Sequence, residues 1–476
     1  MSPSPSLTSP STASARSARP WWALTVLALA QFLVVLDASI VNIALPVLGE
    51  QMHMDTAALA WVITAYVLAF GGLLLLGGRL ADRFGHRRIF LVGIAGFVAS
   101  STLAGLSITS GMLLTARALQ GASAALLAPA ALALLTHVFP DRGERTRALG
   151  VWGAVAGIGS AAGVLLGGVL TATLGWQSVF FVNVPVGVLV LVALPLLVDR
   201  DTAGSTTRLD VPGAVTITAA LVSIVGALSA AERLGFAHPL ALGLAAVAVA
   251  LGILFVVIER RTAEPLVPLT FFRSRTLRAG NIVMLLVGGA TVALFFALSV
   301  YMQAVLGDDA FVTGISQLPL AGALVVVAGI APTVMARIGA RPTLIGSLVV
   351  LASGLIWLSA APADASFAVH LLGPTLLVGV GLGGAFVTAT HLAVDGVTES
   401  ESGLAGGLVN TSQQIGGALG LAALSTLAAA RTTDLLGAGA ARPEALTGGF
   451  SWLFLAAAGV SLLAAVAASG ARAERH

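Results

Sequence analysis

Long apolar runs and short polar loops alternate along the whole chain. Each run has roughly 20 residues or more, the length that a helix needs to cross the hydrocarbon core of a bilayer. The runs are continuous, whereas the strands of a membrane barrel show short segments of alternating hydrophobicity. The pattern predicts an all-α polytopic membrane protein with fourteen spans, at about residues 22–47, 57–77, 88–108, 111–138, 146–171, 176–198, 211–230, 238–258, 279–304, 312–335, 342–361, 367–391, 404–429 and 449–470.

Two groups of six spans flank a central pair. The loop after span 2 ends in Gly85-His86-Arg87-Arg88, and the loop after span 10 contains Gly339-Ala340-Arg341. Parallel six-helix repeats around a central cavity are typical of transporters. We therefore expect four parts: a disordered cytoplasmic tail (1–20), an N-terminal six-helix bundle (21–199), a two-helix insert (200–262) and a C-terminal six-helix bundle (263–476).

The composition agrees with a membrane protein. Of the 476 residues, 57% are hydrophobic and 9% charged, and the mean hydropathy is +0.99. The chain has no cysteine, which excludes disulfides, thiol chemistry and cysteine-based metal sites. The sequence pI near 10.4 comes from arginines that membrane topology places in loops, so we expect no nucleic-acid partner.

The arginines predict the orientation. If the N-terminus is cytoplasmic, 20 of the 24 basic residues, all of them arginine, lie on the cytoplasmic side and only three on the other. An excess of arginine in cytoplasmic loops is the rule for helical membrane proteins. We therefore expect a multi-pass protein of the bacterial plasma membrane with both termini in the cytoplasm.

Asp37 and Arg117 are the ionisable residues that stand out within the spans. A carboxylate inside span 1 is costly and is normally kept facing a cavity or a partner, so Asp37 is our candidate for proton coupling. Arg117 in span 4 cannot lose its proton and needs acceptors, so we expect it to tune a nearby carboxylate such as Asp37. The alternatives are a structural aspartate that is permanently hydrogen-bonded and an arginine that only holds helices together.

Polar residues on otherwise apolar helices predict the lining of a substrate cavity. In span 13, Asn410, Gln413 and Gln414 follow the i, i+3, i+4 spacing and form one polar stripe. Hydrogen bonding between helices is the alternative role for this stripe. We expect the cavity to be lined by these three residues together with Gln31, Asn42, Gln120, Tyr301 and Gln303.

Span 5 is rich in glycine. Its glycines are Gly153, Gly157, Gly159, Gly163, Gly167 and Gly168, and three of them follow a GxxxGxxxG spacing. Such spacing lets a neighbouring helix approach closely. We expect these residues to serve helix packing, with a hinge or seal between the halves as the functional alternative.

Several separate stretches together resemble the major facilitator superfamily, specifically its fourteen-span drug:proton antiporter family. Gly78 to Arg88 is similar to the superfamily's loop signature, Leu36 to Pro46 to the first-helix motif, and Arg117 to Gly121 to the fourth-helix motif. Further matches are Trp176, Asn183, Pro185, Gly187, Tyr301, Gln303, Gly307, Gly314, Pro319, Asn410, Gln414, Gly416, Gly417 and Gly420. The resemblance covers nearly the whole chain and implies the major facilitator fold with proton-coupled export.

One departure concerns the fifth-helix antiporter motif. The family normally has a Gly-Pro pair there, and this chain has Gly163-Val164. A proline would distort the helix locally. The exchange direction that the resemblance implies therefore rests on the other motifs.

The loop Gly77–Arg88 is predicted to be a cytoplasmic latch between the two bundles. The loop between spans 12 and 13 contains Glu399 and other acids but no arginine, so we expect Arg79 and Arg83 to pair with those acids when the cytoplasmic side is closed. Asp82 is expected to cap span 13 or to meet Arg142 or Arg145. We also assign Gly78, Gly85 and Arg87 to the latch, and the resemblance points the same way. Simple positive-inside bias is the alternative for Arg87 and Arg88.

These observations predict a proton-coupled secondary transporter that exports amphipathic or lipophilic drugs or antibiotics by alternating access. The alternatives are a proton-coupled importer of a small metabolite on the same fold and, from another class, a non-transporting receptor or sensor. We expect no enzyme activity, cofactor or metal, because no catalytic constellation, metal-ligand spacing or nucleotide-binding loop is present in the sequence. The expected partners are a small drug-like substrate, protons and the lipid bilayer, and we expect a monomer.

Overall fold

The computed structural model describes residues 13–198, 210–235, 237–267, 274–394 and 402–469. Within these ranges the chain forms fifteen α-helices and two π-helical turns. The helices are α1 (Ala13–Met52), α2 (Thr56–Phe84), α3 (His86–Gly105), α4 (Ser110–Val138), α5 (Arg142–Leu174), α6 (Ser178–Phe181), α7 (Asn183–Leu197), α8 (Val211–Leu234), α9 (Pro239–Arg261), α10 (Arg275–Val300), α11 (Ala310–Ile338), α12 (Ala340–Leu358), α13 (Leu372–Val394), α14 (Ser402–Gly437) and α15 (Arg442–Ser469), and the π-helical turns are Tyr301–Val305 and Phe367–Leu371.

The helices confirm the predicted membrane spans. Thirteen helical segments of the described chain are long and apolar enough to cross a bilayer, and in this set α6 and α7 form one span. The remaining span is α5 (Arg142–Leu174), which carries no charged residue after Arg147. With α5 the described helices correspond to the fourteen predicted spans.

The first helix begins earlier than expected. We expected residues 1–20 to be a disordered tail, but α1 begins at Ala13; residues 1–12 lie outside the described ranges. The stretch from Ala13 to Arg19 contains three alanines and two arginines, and both residue types favour helix. Favourable propensity therefore extends the helix beyond the apolar run.

The ends of α2 and α11 repeat each other. Asp55 caps the start of α2 by accepting from the amide of Ala58, and Asp309 caps α11 in the same way with the amide of Val312, both at 2.7 Å. Gly85 (φ 95°) and Gly339 (φ 91°) end these helices in a backbone conformation that glycine adopts without strain. The predicted correspondence between the loops after spans 2 and 10 therefore extends to the caps of the helices.

The helices pack in two groups with α8 and α9 attached. In the first group, α1 packs on α5 and α7, and α4 packs on α2 and α3. In the second group, α10, α14 and α15 pack on one another, and α13 packs on α11 and α12. Helices α8 and α9 pack on each other, and α8 also contacts α2 and α14. The groups meet through α2 with α14, α5 with α11, and α1 with α10.

We call the end of the bundle where α1 begins the N-terminal face and the other end the opposite face. At the opposite face two side chains of the second group bind backbone carbonyls of α1. The Ser299 hydroxyl donates to the carbonyl of Asn42 at 2.6 Å, and the Gln303 amide donates to the carbonyl of Ile43 at 3.0 Å. These bonds fasten α10 and its π-helical turn to the C-terminal half of α1.

A small apolar cluster closes the same end. Ile43, Val164 and Ala310, from α1, α5 and α11, are buried against one another. A Cβ atom on Gly168 would lie 2.7 Å from the carbonyl oxygen of Ala310, so α5 and α11 are in close contact there. The valine that replaces the usual proline of the fifth-helix motif is thus part of the contact that closes the opposite face.

Candidate functional site

The predicted proton-coupling residues form a buried ion pair. Nη1 of Arg117 lies 2.6 Å from Oδ2 of Asp37, and the two side chains are 1% and 0% exposed. The pair joins α1 to α4 in the interior of the first helix group. Two opposite charges this deeply buried stabilise each other only where further hydrogen bonds satisfy their remaining polar atoms.

Two amides complete the surroundings of the carboxylate. Gln120 and Asn183 each donate to Oδ1 of Asp37, at 2.8 and 2.9 Å. The same amide nitrogens reach the hydroxyl of Ser101, at 3.3 and 3.1 Å. Four helices therefore meet at the carboxylate of Asp37: α1, α3, α4 and α7.

Arg117 has three acceptors besides aromatic contacts. It donates to Asp37, to Oε1 of Gln120 at 2.7 Å, and through Nε to the carbonyl of Val62 on α2 at 3.1 Å. Its guanidinium carbon lies 4.3 Å from the centroid of the Tyr66 ring, a distance at which a cation is attracted to the face of the ring. The guanidinium thus connects α1, α2 and α4.

Close helix packing makes this arrangement possible. A Cβ atom on Gly121 would lie 2.2 Å from the carbonyl oxygen of Tyr66, so only glycine lets α4 come near enough to α2 for Arg117 to reach Val62. On the other side of α1, a Cβ atom on Gly163 would lie 2.9 Å from the carbonyl oxygen of Leu36. Helices α4 and α5 therefore hold α2 and α1 closely around Asp37.

The glycines of span 5 lie where the spacing indicates. Gly159, Gly163 and Gly167 pack against α1 between Phe32 and Ile43, and Gly168 packs against α11. Gly153 and Gly157 are within α5. The packing interpretation therefore describes the three glycines of the GxxxGxxxG spacing, and Gly168 belongs to the contact between the halves.

Chemically, the cluster is a carboxylate that can accept a proton and a guanidinium that cannot release one. Arg117 and two side-chain amides donate hydrogen bonds to the carboxylate of Asp37. Protonation of Asp37 would remove the charge that Arg117 faces and leave the guanidinium with Gln120 and Val62. A proton therefore changes the bond that holds α1 to α4.

Sequence reasoning missed three members of the cluster. Asn183 was noted as part of the sixth-span motif but not as a partner of Asp37, and Ser101 and Tyr66 were not singled out. The available signal was rarity: the chain has two tyrosines, and Ser101 and Asn183 are 0% exposed within apolar helices. Their meeting at Asp37 depends on long-range packing that no local pattern encodes.

Two residues expected to line the cavity are buried in other contacts. Gln120 is 0% exposed and is held by Asp37, Arg117 and Ser101. Tyr301 is 1% exposed and donates to the carbonyl of Pro362 at 2.6 Å. Because these side chains face packed protein, the cavity assignment needs correction for both in this conformation.

The other polar candidates are less deeply buried, although Asn42 is still a buried residue at 9% exposed. Gln31, Asn410, Gln413 and Gln414 are half-buried. Asn42 donates to the carbonyl of Ala38 in its own helix at 2.9 Å, and its Oδ1 is buried without a partner. Gln303 bridges the halves through Ile43 and is also half-buried.

The loop expected to act as a latch makes other contacts in this structure. Arg79 donates to the carbonyl of Pro265 at 3.0 Å, Arg87 to the carbonyl of Pro195 at 3.0 Å, and Asp82 meets His86 at 3.1 Å. Arg83 lies over the ring of Phe84. Arg79 is thus bound to the segment that precedes the second half.

The acidic partners of the latch lie outside the described residues. This applies to Glu399 and to the whole stretch 395–401. The side chain of Arg142 is not described either, and Arg145 belongs to α5. Gly78 lies within α2, with Pro129 of α4 3.7 Å from where its Cβ would be.

Comparison with known sequences decides the family. Residues 27–421 match the sequence model of the Major Facilitator Superfamily. The chain belongs to that superfamily. This major facilitator protein is 41% identical over 457 residues to a puromycin resistance protein of Streptomyces alboniger, a match that covers 94% of this chain and 91% of the relative. It is also 41% identical over 420 residues to the cephamycin export protein CmcT of Amycolatopsis lactamdurans, covering 86% of this chain and 85% of the relative.

Solved structures share the fold. The chain superimposes on an auto-inhibited peptide transporter of the POT family with a TM-score of 0.70 at 16% identity, covering 96% of this chain and 98% of that structure. At that identity the likeness shows the fold alone. The predicted major facilitator fold is therefore confirmed, and the protein is a multi-pass membrane protein of a transporter superfamily.

Proposed function

We propose that this protein exports amphipathic antibiotics or other drug-like molecules from the cytoplasm in exchange for protons. The family is one of transporters, and the two relatives described above are named for puromycin resistance and cephamycin export. Matches of this identity along nearly the full length favour a related small-molecule cargo. The protein would act as a carrier and not as an enzyme, in the bacterial plasma membrane, as a monomer.

The observation that carries proton coupling is the Asp37–Arg117 pair. It is the one ion pair between fully buried side chains in the described parts of the chain, and it joins helices that alternating access has to move. A buried carboxylate that loses and regains its charge changes the free energy of every contact made to it. Asp37 is therefore our proton-binding group, and Arg117 is the positioning residue that sets when it releases the proton.

A cycle follows from these contacts. In the present conformation Asp37 is paired with Arg117, and the described contacts of α1 and α5 with the second half lie at the opposite face. When a proton reaches Asp37, the bond between α1 and α4 weakens, and Arg117 keeps Gln120 and Val62 as acceptors. Helix α1 is then free to shift relative to α4, and with it the contacts made by Asn42 and Ile43 at the opposite face.

The substrate would enter between the halves. We assign Gln31, Asn42, Gln303, Asn410, Gln413 and Gln414 to its polar contacts and leave Gln120 and Tyr301 out. These six side chains carry amides and no charge, which suits a cargo that is largely apolar with a few hydrogen-bonding groups. The GxxxGxxxG face of α5 would let α1 slide without losing contact.

We place the N-terminal face in the cytoplasm, following the distribution of arginine. We also keep the division into 21–199, 200–262 and 263–476, which is supported by the grouping of helix contacts. The loop Gly77–Arg88 would engage Glu399 or its acidic neighbours only after the cytoplasmic side closes. Its present bond to Pro265 holds it on the segment that precedes the second half.

The proposed function is tested in everted membrane vesicles from cells that express the protein. A preformed pH gradient is monitored while puromycin or a cephamycin is added as the first probes. Antiport predicts a substrate-dependent loss of the gradient that is absent from vesicles without the protein. Vesicles whose gradient does not respond to any member of a drug panel contradict the proposal, and inward proton movement with substrate in right-side-out vesicles would instead indicate an importer.

A further inference from the structure

The two-helix insert contains a second pair of buried carboxyl groups. Helix α8 is fastened to α2 by a bond of 2.6 Å from Nε1 of Trp61 to the hydroxyl of Ser229, and the hydroxyl of Thr218 reaches the carbonyl of Gly72 at 3.3 Å. Asp210 stands at the start of α8, and Glu259 lies in the last turn of α9. Both are at the N-terminal face, and they are 4% and 3% exposed.

One oxygen of each carboxyl group has a backbone donor. Oδ1 of Asp210 accepts from the amide of Gly213 at 2.8 Å, and Oε2 of Glu259 accepts from the amide of Val267 at 3.1 Å. The other two oxygens, Oδ2 of Asp210 and Oε1 of Glu259, are buried without a donor. A buried acceptor that is left without a donor costs about 1–3 kcal/mol, and more if it is charged.

The two unsatisfied oxygens face the same point. A Cβ atom on Gly213 would lie 2.5 Å from Oδ2 of Asp210 and 2.9 Å from Oε1 of Glu259, so these two oxygens lie no more than about 5.4 Å apart. Two ionised carboxylates at such a distance repel each other strongly, whereas one shared proton turns the repulsion into a hydrogen bond. One hydrogen placed between Oδ2 of Asp210 and Oε1 of Glu259 would give both oxygens the donor that they lack.

No described cation supplies the missing partner. The charged groups on the elements around the pair are Arg79 on α2, Arg260 and Arg261 at the end of α9, and Glu264 after it. In the described ranges none of the three arginines forms an ion pair with Asp210 or Glu259.

We propose that Asp210 and Glu259 form a second proton-binding site, separate from Asp37. One shared proton forms a hydrogen bond between the two carboxyl groups and so joins the two ends of the insert. The site does not depend on the proposed transport function, since it is argued from the insert alone. It lies at the face that carries Arg79, so its proton would exchange with the solution on that side.

The shared proton also affects the segment that leads from the insert into the second half. Glu259 holds the amide of Val267, and two residues earlier the carbonyl of Pro265 accepts from Arg79. Loss of the shared proton would drive Asp210 and Glu259 apart and loosen this segment. Arg79 would then lose its present acceptor, the carbonyl of Pro265. The protonation of the Asp210–Glu259 pair therefore controls whether the loop Gly77–Arg88 stays bound to the segment that contains Pro265.

The test uses the purified full-length protein and needs no substrate. Infrared spectra count protonated carboxyl groups, and thermal unfolding is measured between about pH 4 and about pH 9, a range that covers the titration of a carboxyl group both in the unfolded chain and in a buried site. The proton is bound in the folded state, so the melting temperature of the wild type should fall as the pH rises through this range. In Glu259→Gln the amide supplies the hydrogen permanently. This variant should lose the signal of one protonated carboxyl group and most of this fall in melting temperature.

Glu50→Gln is the matched control, because Glu50 is exposed at the end of α1; it should keep both properties of the wild type. If Glu259→Gln does not fold, Asp210→Asn is used, since its amide satisfies Glu259 without a proton and the same loss of signal is expected. The proposal is overturned if the variant that folds retains the carboxyl signal or the full pH dependence. It is also overturned if Na⁺ or Ca²⁺ stabilises the wild type but not the variant, which would make the pair a cation site.

Discussion

Nη1 of Arg117 lies 2.6 Å from Oδ2 of Asp37, and neither side chain is more than 1% exposed. This bond crosses from α4 to α1, and the arginine continues to the carbonyl of Val62 on α2. A proton on Asp37 therefore acts on the packing of three helices at once.

Arg117→Gln should destabilise the protein at neutral pH. The change leaves the buried carboxylate of Asp37 without its cation, a loss that typically costs about 3–5 kcal/mol. The double variant Asp37→Asn/Arg117→Gln should recover part of this loss, because neither charge then remains buried. A double-mutant cycle on unfolding measures the coupling. Additive losses would show that the two charges do not stabilise each other.

Gly163→Ala should loosen α1 from α5. The new Cβ would lie 2.7 Å from the Cβ of Ser39 and 2.9 Å from the carbonyl of Leu36. Such overpacking costs roughly 1–3 kcal/mol and displaces the turn that carries Asp37. Transport should fall together with stability in this variant.

Gly150→Ala on the same helix is the control, because nothing lies within 4 Å of its Cβ position. There the substitution should be neutral or stabilising by up to about 1 kcal/mol, since alanine favours helix. Equal effects at the two positions would mean that propensity, and not the contact with α1, determines the result.

Ser299→Ala/Gln303→Leu should open the opposite face. These changes remove the two bonds from the second group to the carbonyls of Asn42 and Ile43. Because the chain has no native cysteine, spin labels can be introduced at chosen sites. Labels at Leu106 and Trp357, which are 58% and 50% exposed, report on the opposite face.

A second pair of labels, at Phe84 and Ile338, reports on the N-terminal face. The double variant should lengthen the first distance and shorten the second. Ser353→Ala is the control, because the hydroxyl of Ser353 bonds to the carbonyl of Val349 in its own helix and, among the described residues, to no other helix. Unchanged distance distributions would show that other contacts close the opposite face.

The sequence predicts the spans and the two coupling residues, because charge inside an apolar run is rare and costly. It does not predict the environment of Arg117, since that depends on how closely α4 approaches α2 at Gly121. Arg79 illustrates the same limit: its acceptor is the backbone carbonyl of Pro265, and backbone acceptors leave no mark in the sequence. Asp210 and Glu259 meet only because α8 and α9 pack as a hairpin that brings its two ends together.

The replacement of proline by Val164 is a further case. Sequence comparison shows a departure from the fifth-helix motif and gives no structural consequence. In the structure Val164 packs with Ile43 and Ala310 where the halves meet. The effect of the glycine spacing, by contrast, can be predicted from the sequence, because small residues at four-residue intervals let a neighbouring helix approach closely.

The most direct test of the central claim is proton movement by Asp37→Asn in proteoliposomes with an imposed pH gradient. Asparagine keeps the shape of the side chain but cannot exchange a proton, so the variant should fold and bind substrate while substrate-driven proton flux disappears. Glu50→Gln, an exposed change on the same helix, should behave as the wild type. Substrate-driven proton flux at the wild-type rate in Asp37→Asn would contradict the account and remove Asp37 from the coupling mechanism.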